Sequence, residues 1–122
     1  MKKLLLLTGL FTLFSCNSNK VQDVASFEFN GAWYWVAQYE DGATQKDVEE
    51  YVNKWANPKQ TSHFFVFDNS IDLSVFKTQS FNLNSFAATV LANKPKYGYY
   101  KMPPDTKLNT DAVWLLEQLQ KR

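Results

Sequence analysis

Apolar residues are not spread evenly along the chain. Leu4 to Phe14 is almost wholly apolar, broken only by Thr8, Gly9 and Thr12. Asn17 to about Ala25 is polar and has no apolar period. Phe27-Glu28-Phe29, then Asn30-Gly31, then Ala32–Tyr39 predicts a β-hairpin. Asn-Gly supplies the positive φ values of a two-residue turn, and the second arm is rich in β-favouring aromatics. Asp41-Gly42 ends that arm. Val48, Tyr51, Val52 and Trp55 recur at i, i+3, i+4 and i+7, the stripe of an amphipathic helix. Thr44 and Asp47 form its capping box and Asn57-Pro58 its stop.

The second half continues the alternation. His63–Phe67 reads as a strand and Asp68-Asn69-Ser70 as a turn. Ile71, Leu73 and Val75 alternate with Asp72 and Ser74, which predicts a half-buried strand. Leu83, Phe86, Ala87, Val90 and Leu91 predict a helix capped by Asn82 or Asn84, ending at Asn93-Lys94-Pro95. Tyr97–Lys101 is a strand closed by Pro103-Pro104. A last helix starts at about Asp111, capped by Thr110 or Asn109, with Ala112, Leu115, Leu116 and Leu119 on one face.

These elements describe an α+β fold, a small two-layer sandwich with an antiparallel or mixed sheet and about three helices. After the first hairpin arm the order βαββαβ resembles the split βαβ, ferredoxin-like arrangement, followed by a C-terminal helix. The pattern strains that resemblance. Phe64-Phe65-Val66-Phe67 is apolar on both faces, as an inner strand is, whereas that topology puts this strand at an edge.

The first residues carry the clearest signal. Met1-Lys2-Lys3 is a short positive region, and the apolar run of eleven residues falls far short of the ~20 that span a bilayer as a helix. Leu13-Phe14-Ser15-Cys16 resembles the bacterial lipobox, although Phe14 is bulkier than the usual occupant of its place. The resemblance covers residues 1–16 alone. It implies a signal peptide over 1–15, removed on export, and a lipid-modified Cys16 at the new N-terminus. Two or three acyl chains, at ~0.8 kcal/mol per buried CH₂, hold a protein stably where one holds it marginally. Residues 16–25 then read as a lipid-anchored tether and 26–122 as one folded domain. Some surface-bound lipoproteins carry an acidic cluster after Cys. Asn17, Ser18, Asn19 and Lys20 stand there instead, which favours an outer-membrane protein facing the periplasm over one at the cell surface.

Composition narrows the chemistry. There is one Cys, so no internal disulfide and no thiolate zinc site is possible, and one His. The chain carries 13 basic and 12 acidic residues. Loss of Lys2 and Lys3 with the signal leaves 11 against 12, which gives no electrostatic case for nucleic acid.

Candidate sites are correspondingly few. Trp33, Trp35, Ala37 and Tyr39 fall on one face of their strand and Ala32, Tyr34 and Val36 on the other. Two helices cover one sheet face, so either the last helix covers the second or an aromatic face stays open. An open face would bind a protein or stack on sugar rings. Lys94, Lys96 and Lys101 interleave with Tyr97, Tyr99 and Tyr100. That pattern suits an anionic ligand, or solvated charges that protect a sheet edge. His63 has no companion motif: no G-x-S-x-G elbow and no HExxH occur. Glu40, Asp41, Asp68, Asp72 and Asp105 fall at turns or strand ends, and no spacing singles out a catalytic pair. The sequence therefore points to a membrane-anchored envelope lipoprotein acting by protein–protein contact, without cofactor, metal or catalysis. Its possible binding surface is Trp33, Trp35, Tyr97, Tyr99, Lys96 and Lys101. The alternatives are a glycan or envelope-ligand binding module and, last, a carboxylate-dependent hydrolase.

Overall fold

Asn30 and Gly31 adopt φ values of 51° and 77°, the left-handed backbone that the hairpin turn requires. In the computed structural model, which describes residues 20–78 and 80–121, they join β1 (Val21–Phe29) to β2 (Ala32–Tyr39) as an antiparallel pair. The expected signal segment and Cys16 lie outside the described residues. Residues 21–25, in the stretch whose polarity reads as tether, belong to β1, where Val21 pairs with Tyr39 and Ala25 with Val36. β1 is an edge strand, so Gln22 and Asp23 sit in solvent at no cost. A bulge between Asp23 and Ala25 restores the alternation beyond it.

α1 (Gln45–Trp55) starts on the expected capping box. Thr44 Oγ1 accepts from the Asp47 amide at 3.2 Å, and Asp47 Oδ2 accepts from the Thr44 amide at 2.8 Å. The helix carries the chain back so that β3 (Thr61–Asp68) runs parallel to β2. Ser62 is buried at the start of β3, where its hydroxyl accepts from the Asn57 amide at 3.0 Å and closes the α1–β3 turn.

The segment Ile71–Val75 is not a strand. Ile71 N donates to Asp68 O at 3.1 Å, and Asp72 Oδ1 accepts from the Ser74 amide at 2.9 Å. These turns lead into the short α2 (Val75–Thr78). The side chains of Leu73 and Phe76, not an alternating strand face, enter the core. α3 (Leu83–Asn93) follows, capped by Asn82 Oδ1, which accepts from the Ser85 amide at 3.1 Å. β4 (Tyr97–Lys101) then pairs antiparallel with β3, and α4 (Ala112–Gln120) ends the domain. The α4 N-cap is Asp111, without a side-chain cap bond. Asn109 instead pairs its backbone with Tyr100.

The fold is α+β with a mixed four-stranded sheet in the order β1-β2-β3-β4. That sequential order, with a parallel β2–β3 pair, replaces the ferredoxin-like arrangement. Helices cover both faces, so there are three layers rather than two. α1 packs Val48, Tyr51 and Val52 onto Ala37, Phe64, Val66 and Tyr99. α2, α3 and α4 pack Phe76, Phe86, Ala87, Val90 and Leu116 onto Tyr34, Val36, Phe65 and Phe67. Phe64 and Phe65 point to opposite faces and both are 0% exposed. Each such side chain contributes about 1.5–3 kcal/mol of burial, so β3 is the strand from which both cores are built.

Candidate binding site

The alternation of β2 sends Trp33 and Trp35 to the α1 face, and α1 ends on Trp55 above them. The three indoles form a ledge. Ring centroids of Trp33 and Trp35 are 6.1 Å apart, and those of Trp35 and Trp55 are 6.3 Å apart. Trp35 lies flat on Phe64, at 5.6 Å and 12° between planes, so the core fixes its position. Trp55 is 44% exposed, and the Lys54 ammonium sits 5.4 Å from its ring centroid. Among the described residues, the buried Nε1 of Trp35 has no hydrogen-bond partner. Such a group costs about 1–3 kcal/mol in a folded protein.

A polar fringe runs along the ledge. Trp33 Nε1 donates to Gln60 Oε1 at 2.8 Å, and Asn57 Nδ2 donates to the same oxygen at 3.2 Å. Gln60 Nε2 in turn donates to Glu28 Oε2 at 2.7 Å. These bonds hold a carboxylate and two amides beside the indole rings.

Next to the ledge, a cleft of about 580 Å³ opens between β1 and α1, lined by Asp23, Asp47, Glu50, Tyr51, Lys54 and Trp55 among others. Three carboxylates against one ammonium make it acidic. Asp47 is committed to its cap, and the backbone N–H of Thr44 holds its carboxyl below the usual range. Tyr51 donates to Asp23 Oδ1. Burial, and then that carboxylate, push the Tyr51 hydroxyl well above its ordinary value, so it stays a donor. A second, smaller hollow of about 390 Å³ lies where β1 starts and β2 ends, between Gln22, Gln38, Glu40, Asp41 and Asn69.

The residues expected to form a binding surface separate into two flanks. Trp33 and Trp35 join the ledge. Tyr97, Tyr99 and Lys101 share the same sheet face on β4, but α1 crosses between the two groups. Tyr99 is 2% exposed and belongs to the core, with its hydroxyl 3.3 Å from Glu49 Oε2. Lys101 Nζ donates to Asn53 Oδ1 at 2.9 Å, across to α1. Lys96 is exposed where β4 begins, and its amide donates to Val66 O at 2.9 Å.

Trp55, Tyr51, Asp23 and Gln60 are additions that the pattern concealed. Trp55 keeps the apolar spacing of the α1 stripe, yet as the last helical residue it overhangs the sheet rather than entering the core. Asp23 fell within the polar stretch read as tether.

The remaining candidates have other work. His63 stacks on Tyr34 at 4.6 Å and lies 6.0 Å from Tyr100. Its Nδ1 is 3.1 Å from Trp33 O, a contact that requires the proton on Nδ1. Asp68, Asp72 and Asp105 accept from the amides of Ser70, Ser74 and Lys107, each at 2.9 Å, which is turn chemistry. Among the described residues, no group of three or more His, Cys, Asp or Glu could hold a metal ion, and no helix is long and apolar enough to cross a membrane. Comparison with family models, characterised proteins and solved structures finds no match for this chain.

Proposed function

We propose that the chain is a lipoprotein of the bacterial envelope, held at the membrane through lipid on Cys16, and that its domain acts by protein–protein contact rather than by catalysis. The anchor rests on the lipobox pattern at Leu13–Cys16. Contact rests on one observation: Trp55, 44% exposed, continues a row of indoles whose base is fixed by Phe64. Tryptophan is among the residues that carry most of the binding energy at protein interfaces, and a rigid base lowers the ordering cost of using it. The outer membrane, with the domain facing the periplasm, is the proposed location.

Purification from membranes in mild detergent tests this reading. A stoichiometric envelope protein is expected to accompany the wild-type chain. Repeated recovery of the chain alone would remove the contact reading. Cys16→Ser is expected to release the domain or to leave an unprocessed precursor. Membrane-bound Cys16→Ser protein at the mature mass would remove the anchor.

A glycan is the second reading, favoured by the Glu28–Gln60–Asn57 fringe. Sugar rings stack on indoles while their hydroxyls take carboxylate and amide partners. Quenching or shift of tryptophan fluorescence by cell-wall fragments would favour it over a protein partner.

A further inference from the structure

The distance from the expected lipid to the domain is short enough to bring one end of the sheet close to the membrane. Lys20 is already held by the fold, because its carbonyl accepts from the Glu40 amide at 2.8 Å. Lys20 lies four positions after Cys16, and four fully extended steps reach no more than about 14 Å. The described residues extend much further. β1 alone spans nine residues, roughly 27 Å at the usual rise.

The register shows what surrounds Lys20. Val21 pairs with Tyr39, Tyr39 with Asp68, and Lys96 N bonds to Val66 O. One end of the sheet therefore gathers the start of β1, the end of β2, the end of β3 and the start of β4. Lys20, Glu40, Asp41, Asn69 and Lys96 stand there, all exposed, with Asp68 beside them. The Ser70 N–H holds the Asp68 carboxyl low, with a smaller contribution from Lys96, and the Thr44 N–H does the same for Asp47, with a smaller contribution from Lys20. Across the sheet two ammonium groups, Lys20 and Lys96, flank the carboxylates of Glu40, Asp41 and Asp68, and the smaller polar hollow opens beside Glu40 and Asp41. The opposite end holds the Asn30-Gly31 turn, Lys59, Gln60 and Lys101. Trp33 lies six residues along β2 from Tyr39, roughly 20 Å further from the anchored end.

We infer that the domain stands upright on the bilayer, with the Lys20–Glu40–Asn69–Lys96 end against the lipid headgroups and the Trp33–Trp55 ledge directed away from them. The inference rests on the lipid anchor at Cys16. The leash is too short for the far end to reach the surface unless the domain lies on its side. The mixed-sign end matches zwitterionic headgroups, which carry both charges, and has no single-sign field that would require anionic lipid. The ledge is thereby offered to a partner in the compartment, not to the membrane that carries the protein.

The test uses the full-length lipidated chain in vesicles of zwitterionic phospholipid that carry a headgroup quencher. Lipid on Cys16 consumes the one native thiol, so Asn69→Cys and Lys59→Cys, in separate chains, each offer a unique site for a fluorescent label. Both positions are exposed. Loss of fluorescence at position 69 with little or none at position 59 is expected. Vesicle-bound protein quenched equally at both positions, or more at 59, overturns the orientation while leaving the anchor standing. Protein that stays in solution with an unmodified Cys16 overturns both.

Discussion

A methyl group on Gly98 would stand 2.7 Å from Cγ2 of Val113 and 3.2 Å from its amide nitrogen. β4 therefore passes beneath α4 at a point where no side chain fits, and the glycine permits that approach. Gly98→Ala is expected to destabilise the fold by about 1–3 kcal/mol, the usual cost of overpacking. It should appear as a lower urea midpoint at unchanged slope. Val113→Ala in the same chain should recover part of the loss, since it removes the nearer atom and leaves the backbone contact. A double variant no better than Gly98→Ala would mean that the closeness is not the cause.

Trp55 separates binding from stability. Its ring meets Trp35 at 6.3 Å and is otherwise half in solvent. Trp55→Ala is expected to cost about 1 kcal/mol or less in stability, within the range of one aromatic pair, and to abolish recovery of the partner in detergent. Trp35→Ala should cost about 3–5 kcal/mol, as a large truncation against the core does, so loss of binding there would say nothing specific. Full partner recovery by folded Trp55→Ala protein would move the contact surface elsewhere.

His63 should make stability fall on mild acidification. Burial lowers its pKa from 6.5, and the bond to the Trp33 carbonyl offsets that only in part. Below about pH 6.5 the unfolded chain takes up a proton that the folded ring resists. The contribution is thus fully present above the unfolded pKa and is lost as pH falls toward the depressed folded value. Asp47, Asp68 and Asp72 are held below 3.8 and act in a separate, more acidic window. Urea midpoints at about pH 7.5 and about pH 5.5 bracket the histidine alone. His63→Phe keeps a ring between Tyr34 and Tyr100 and should flatten the slope. An equally steep slope in His63→Phe would place the effect on another group.

Elements written in local chemistry were legible. Asn30-Gly31 fixed the hairpin, and Thr44 with Asp47 fixed the start of α1, because each acts over two to four residues. β2 and β4 were bounded by turn residues and lie where the pattern put them. The segment Ile71–Val75 misled because five alternating residues describe a strand and a buried loop equally well. Asp68 and Asp72 provide turn bonds that compete with sheet pairing. The start of β1 was hidden for the opposite reason: an edge strand needs no apolar alternation to pair. Of the site, Trp33 and Trp35 were visible as a face of β2, but Trp55 was indistinguishable from its core neighbours Val48, Tyr51 and Val52.

The order of residues alone determined the local turns and caps, the α+β class and the expectation of lipid at a single cysteine. Those follow from backbone preference, period and covalent chemistry within a few residues. Only the tertiary structure decided that, among the described residues, α1 covers one face while α2, α3 and α4 share the other, and that Tyr99 is core while Trp55 is surface. It also decided that the chain enters the sheet at Lys20, at the end opposite Trp33. These depend on which strands pair, and strand pairing is set by the packing of residues far apart in the chain.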